Sequence, residues 1–113
     1  MPKLMLKIDV DPEGRIGPGK IALLEQIAAN GSISAAARAM EMSYKRAWDL
    51  VGEMNRIFGK PVIAAKTGGH AGGGASLTPV GAALVERFRA IEQTALDATR
   101  SELEALQAEI DAN

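Results

Sequence analysis

The stretch GSISAAARAMEMSYKRAWDLVGEMNRIFGKP, residues 31–61, constrains the fold of this chain more than any other. Ser34 is placed to cap a short helix over Ala35 to Met40, a segment rich in the strongest helix former. Glu41-Met42 then reads as a tight turn. Ser43 caps a longer helix that runs to Phe58, where Gly59 and Pro61 stop it. Two helices joined by a turn of three or four residues are a helix-turn-helix.

At 100° per residue the second helix divides into two faces. Ala47, Leu50, Val51, Met54, Ile57 and Phe58 share the face expected to be buried. Lys45, Asp49, Gly52 and Arg56 lie opposite, with Arg46 and Trp48 on the flanks. Basic and polar groups near a helix N-terminus suit a helix that reads DNA; an ordinary solvated face is the alternative. Tyr44 and Trp48 are four apart. They read either as packing at the edge of the core or, for Tyr44, as a donor to a phosphate.

The flanking segments supply the remaining elements. Lys3 to Val10 alternates Leu4, Leu6, Ile8 and Val10 with Met5, Lys7 and Asp9, the period of a half-buried strand. DPEGRIGPG then breaks regular structure. Ile21, Leu24, Ile27 and Ala28 follow helical spacing after Pro18, and Asn30-Gly31 ends that helix. Val62 to Lys66 reads as a strand, with Leu77-Thr78 pairing back to it across TGGHAGGGAS, a glycine-rich wing tip. Thr78-Pro79 opens a last helix that meets no further proline. Leu84, Phe88, Ile91, Ala95 and Ala98 step by three and four, and Leu103, Leu106 and Ile110 resume the step after a phase slip. One small domain does not bury so long a helix, so its expected partner is a second copy of the chain. Residues 1–78 thus form the expected winged helix-turn-helix domain, mainly α with a small β wing. Residues 79–113 form a dimerisation helix packed on it.

Composition narrows the chemistry. The 113 residues contain no cysteine and one histidine, His70. Disulfides, thiolate nucleophiles and multi-His metal sites are therefore excluded within one chain. Asp9, Asp11, Glu13 and Gly14 begin like a calcium loop, but its twelfth position is Lys20, where a bidentate glutamate is needed. The glycine-rich segment lacks the phosphate-loop pattern and the strand-to-helix context. No cofactor, metal or catalytic group is expected, so an enzyme is not. Residues 1–78 carry net charge +3 and residues 79–113 carry −4, which fits a module that meets a polyanion on one side. No apolar run approaches ~20 residues and no signal-peptide pattern is present, so a cytoplasmic location is expected.

GSISAAARAMEMSYKRAWDLVGEMN followed by TGGHAGGGASLTPVG resembles the N-terminal DNA-binding domain of ModE-type molybdenum-dependent transcriptional regulators. That domain is related to the winged helix-turn-helix of LysR-type regulators, and the likeness covers about residues 15–90. The resemblance implies a homodimer that binds double-stranded DNA through the helix after Ser43. The matching positions are Ser43, Tyr44, Lys45, Arg46, Trp48 and Asp49 in that helix, Ser32 and Ser34 at the start of the preceding one, and Lys66, Thr67, Gly68 and Gly69 in the wing. His70 adds a donor nearby. The resemblance also implies that the terminal helix joins two subunits, with Leu84, Phe88, Ile91, Ala95, Leu103 and Leu106 at the seam. The family's molybdate-binding C-terminal domains have no counterpart in these 113 residues, so molybdate binding is not expected of this chain. A palindromic operator and repression are the expected mode of action. An oxyanion sensor and a module that pairs with another regulator are the alternatives.

Overall fold

The computed structural model describes residues 2–66 and 74–113. Its elements are β1 (Ile8–Asp9), β2 (Arg15–Ile16), α1 (Pro18–Asn30), α2 (Ile33–Ala39), α3 (Tyr44–Phe58), β3 (Ile63–Lys66), β4 (Gly74–Leu77) and α4 (Pro79–Asp111). The N-terminal segment has the expected alternation, with Leu4, Leu6, Ile8 and Val10 half-buried and the residues between them exposed. Its paired strand is shorter than expected, only Ile8–Asp9. It pairs antiparallel with Arg15–Ile16, inside the stretch read as irregular.

α1 begins with Pro18, where a missing N–H costs nothing, and ends at Gly31 in the left-handed conformation (φ 77°). Ile21, Leu23, Leu24 and Ile27 are buried, while Ala28 is exposed. The one-face reading of this helix was too narrow because α2, α3, α4 and β4 all pack around it.

α2 starts two residues earlier than expected. Its N-cap is Ser32, whose Oγ accepts from the Ala35 N–H at 3.1 Å. Either serine has an alanine three positions on, so capping chemistry does not separate them. Ile33 does, because a start at Ser32 places it in the first turn, where it is buried. The turn passes through Glu41 in the left-handed region (φ 56°), and the Met42 N–H donates to the Ala37 carbonyl. α3 then runs between the expected limits. Ser43 Oγ accepts from the Arg46 N–H at 3.0 Å, and Gly59 ends the helix with φ 64°.

β3 and β4 pair antiparallel, with Ile63 opposite Leu77 and Lys66 opposite Gly74. Thr78 belongs to no strand. Its N–H donates to the Val62 carbonyl, its hydroxyl donates to the Pro61 carbonyl at 2.7 Å, and its Oγ1 accepts from the Gly81 N–H at 3.1 Å. One residue thereby closes the hairpin and caps α4. The hairpin is also tied to α1, since the Ala75 N–H donates to the Gly31 carbonyl at 2.7 Å.

The core gathers residues from every helix and from the hairpin, among them Ile21, Ile27, Ala36, Val51, Met54, Val62 and Phe88. α4 contributes to it with Gly81, Leu84 and Phe88, then continues past the body. Leu84 and Phe88 therefore do not stand on a free seam as expected: the chain's own core covers them, leaving Phe88 2% exposed. Beyond them, Ile91, Leu106 and Ile110 are exposed, and Ala95 and Leu103 are half-buried. Arg89 fastens α4 to α1, donating to both carboxylate oxygens of Glu25 and to Glu92. The hydrogen bonds to Glu25, and next those to Glu92, push the Arg89 pKa up.

Candidate nucleic-acid interface

The buried face of α3 is Ala47, Leu50, Val51 and Met54, with Ile57 and Phe58 half-buried at its end. That stripe fixes the rotation of the helix about its axis. Tyr44, Lys45, Arg46, Trp48, Asp49 and Arg56 are left on the surface. Asn55 holds the helix against the hairpin, its Oδ1 accepting from the Val62 N–H at 2.9 Å. Sequence reasoning gave Asn55 no role; it lies in the last turn of α3, close to where the chain turns toward Val62.

The exposed residues are not equivalent. Lys45 Nζ pairs with Asp49 Oδ2 at 2.9 Å, one helical turn on. Both side chains are open to water, so this pair adds little stability. It does place an anion beside one of the two cations at the start of α3. Among the described residues, the Arg46 side chain has no ion pair. Tyr44 and Trp48 do not pack into the core edge; each is 55% exposed and they stack on one another.

Ser32 is half-buried and already serves as the cap of α2, while Ser34 is exposed beside it. Both line a cleft of about 380 Å³ that also involves Tyr44, Trp48, Ile63 and Ala75. The structure thus brings the start of α2, the first half of α3 and the strands of the hairpin to one surface. Lys66 lies exposed at the end of β3. Thr67, Gly68, Gly69 and His70 lie outside the described residues. Among those described, no group of acidic and histidine side chains is arranged to hold a metal ion, and no helix is long and apolar enough to cross a membrane.

Comparison with known proteins agrees with this architecture. Residues 19–82, from the second residue of α1 to the start of α4, match the bacterial regulatory helix-turn-helix proteins of the lysR family. The molybdenum-pterin-binding protein MopB of Rhodobacter capsulatus is 53% identical over 78 residues, which are 69% of this chain and 29% of that protein. The DNA-binding transcriptional dual regulator ModE of Escherichia coli K12 is 40% identical over 91 residues, 80% of this chain and 32% of its own length. The molybdenum transport protein ModE of Azotobacter vinelandii is 39% identical over 95 residues, covering 81% of this chain and 35% of that one. This chain therefore spans about a third of the length of these relatives. A capped pair of helices, an exposed basic and aromatic face on the second, and a β hairpin beside it are the parts of a DNA-binding domain. The chain belongs to the bacterial regulatory helix-turn-helix proteins of the lysR family, a family of regulators and not of enzymes, and is homologous to the N-terminal region of ModE.

Proposed function

We propose that this chain is a sequence-specific transcriptional regulator that binds a two-fold symmetric operator as a homodimer and acts by repression. The observation that carries this reading is the surface at the start of α3. There a rigidly capped helix presents Arg46, Lys45, Asp49 and two aromatic rings. α3 enters the major groove, with Arg46 as its principal donor to base edges. Ser32, Ser34 and Ser43 meet the sugar-phosphate backbone, where hydroxyl donors are common. Lys66 and the segment Thr67 to His70 follow the adjacent backbone or minor groove. Ile91, Ala95, Leu103 and Leu106 of α4 pack against the same helix of a second copy. This spaces two α3 helices by about one DNA turn, ~34 Å, or a multiple of it. The relatives' molybdenum-related names describe proteins about three times as long, and this reading assigns no molybdate site to the present chain.

Selection from a random duplex library at two salt concentrations tests the reading. Enrichment of a two-fold symmetric sequence is the expected result, with a shallow salt dependence because the body carries only a small positive excess. Binding at neither salt overturns it.

A further inference from the structure

Tyr44 and Trp48 are one turn apart on α3, so their side chains leave the helix on the same side. Their ring centroids are 6.4 Å apart and the planes lie within 11° of parallel. The core face of α3 is complete without them, being built from Ala47, Leu50, Val51 and Met54. Both residues remain more than half exposed. Two aromatic rings kept in water at the start of a DNA-reading helix are apolar surface with no use inside the chain.

The polar side chains around them account for only part of what a major groove displays. Lys45 is engaged with Asp49, and Arg46 is suited to guanine. The groove carries one apolar group, the C5-methyl of thymine. We infer that Tyr44 and Trp48 together select thymine in the operator by covering its C5-methyl with their stacked rings. This deepens the regulator reading above and rests on it. Because the rings already stack on one another, part of the cost of ordering them on docking is met before DNA arrives. The methyl exchanges water for ring surface, while Arg46, on the other flank of α3, remains available to a different base or phosphate.

A methyl scan of the selected duplex tests the inference. Each thymine is replaced in turn by deoxyuridine, which removes only the methyl. Kd is then measured by anisotropy of a labelled duplex for the unmodified protein, Trp48→Ala, Tyr44→Ala and Tyr44→Phe. At one or two thymines per half-site the unmodified protein loses about fourfold in affinity, the equivalent of one buried methylene. Trp48→Ala and Tyr44→Ala bind the thymine duplex more weakly and do not distinguish it from the deoxyuridine duplex. Tyr44→Phe, which loses only the hydroxyl, keeps the discrimination. Both positions lie outside the core, and an unchanged thermal midpoint verifies that the variants are folded. The inference is overturned if deoxyuridine leaves the affinity of the unmodified protein unchanged at every position. It is also overturned if both alanine variants show the same loss as the unmodified protein. If no duplex is enriched at all, the regulator reading itself falls, and this inference with it.

Discussion

Gly81, in the first turn of α4, lies against the backbone of Val62 so closely that a Cβ would collide with the Val62 carbonyl oxygen. The same carbonyl accepts from the Thr78 N–H, so it has no freedom to retreat. Gly81→Ala is therefore expected to lose about 2 kcal/mol or more, the scale of overpacking in a rigid site. Gly19→Ala is the control. No atom lies within 4 Å of the added methyl there, and alanine favours the helix by about 0.5–1 kcal/mol. Urea midpoints of the two variants should move in opposite directions.

Arg89 reaches 64 residues back along the chain to Glu25. The pair is two-pronged, but both side chains are about 40% exposed, so water and salt weaken it. Glu25→Gln should cost about 1 kcal/mol or less at low salt, with the loss shrinking as salt is added. Denaturation at two ionic strengths gives the difference.

A hydrogen bond from Arg15, and then the charge of its guanidinium, hold the Asp9 carboxyl below the usual aspartate range. A lowered carboxylate pKa means that the contact stabilises the fold above the ordinary aspartate value. That stabilisation is lost as pH falls through the lowered one. Titration of the Asp9 carboxyl by NMR should show the depressed midpoint, and Arg15→Met should move it up. A midpoint indifferent to Arg15 would refute the assignment.

Arg46 stands exposed at the start of α3 without an ion pair among the described residues. If it reads a guanine, Arg46→Ala costs about 1–3 kcal/mol of binding on the selected site and relaxes preference at one base pair. Equal loss on every duplex would reassign it to a phosphate. Affinities measured across single-base variants of the site separate the two outcomes.

The free part of α4 offers its own test. Leu106 is 63% exposed, and in the proposed dimer it is covered by the partner helix. Leu106→Asp should shift the sedimenting species toward monomer and leave the helical circular dichroism of the body in place. A wild-type protein that sediments as a monomer would refute the seam.

The parts of this fold that were legible in the sequence share a strong local signal. Ser43 and Gly59 bracket α3, Thr78-Pro79 opens α4, and the apolar stripe from Ala47 to Met54 sets the orientation of the exposed face of α3. Local signals failed where tertiary burial decides. Ser32 prevails over Ser34 because of where Ile33 goes, and Leu23 is buried because α1 is covered on more than one side. The two-residue strand Arg15–Ile16 is too short to show a period. Leu84 and Phe88 share their helical step with Ile91 and Ala95, and periodicity does not tell burial in one's own core from burial against a partner. For Tyr44 and Trp48, spacing placed them on one side of α3 but did not tell core edge from solvent.

Thr78 joins the last strand of the hairpin to a long helix. A helix of 33 residues is about 50 Å long; its first turns pack on the body as far as Arg89, and Glu92, Gln93, Leu96 and Arg100 share a cleft with Leu4 and Leu6 of the N-terminal segment. A helix held in this way is a long arm that turns with the body. A tilt of about 5° of the body carries the far end of the helix through about 4 Å, roughly one base-pair step. In the proposed dimer, the distance between the two α3 helices is thus geared to the angle at which each α4 meets its partner.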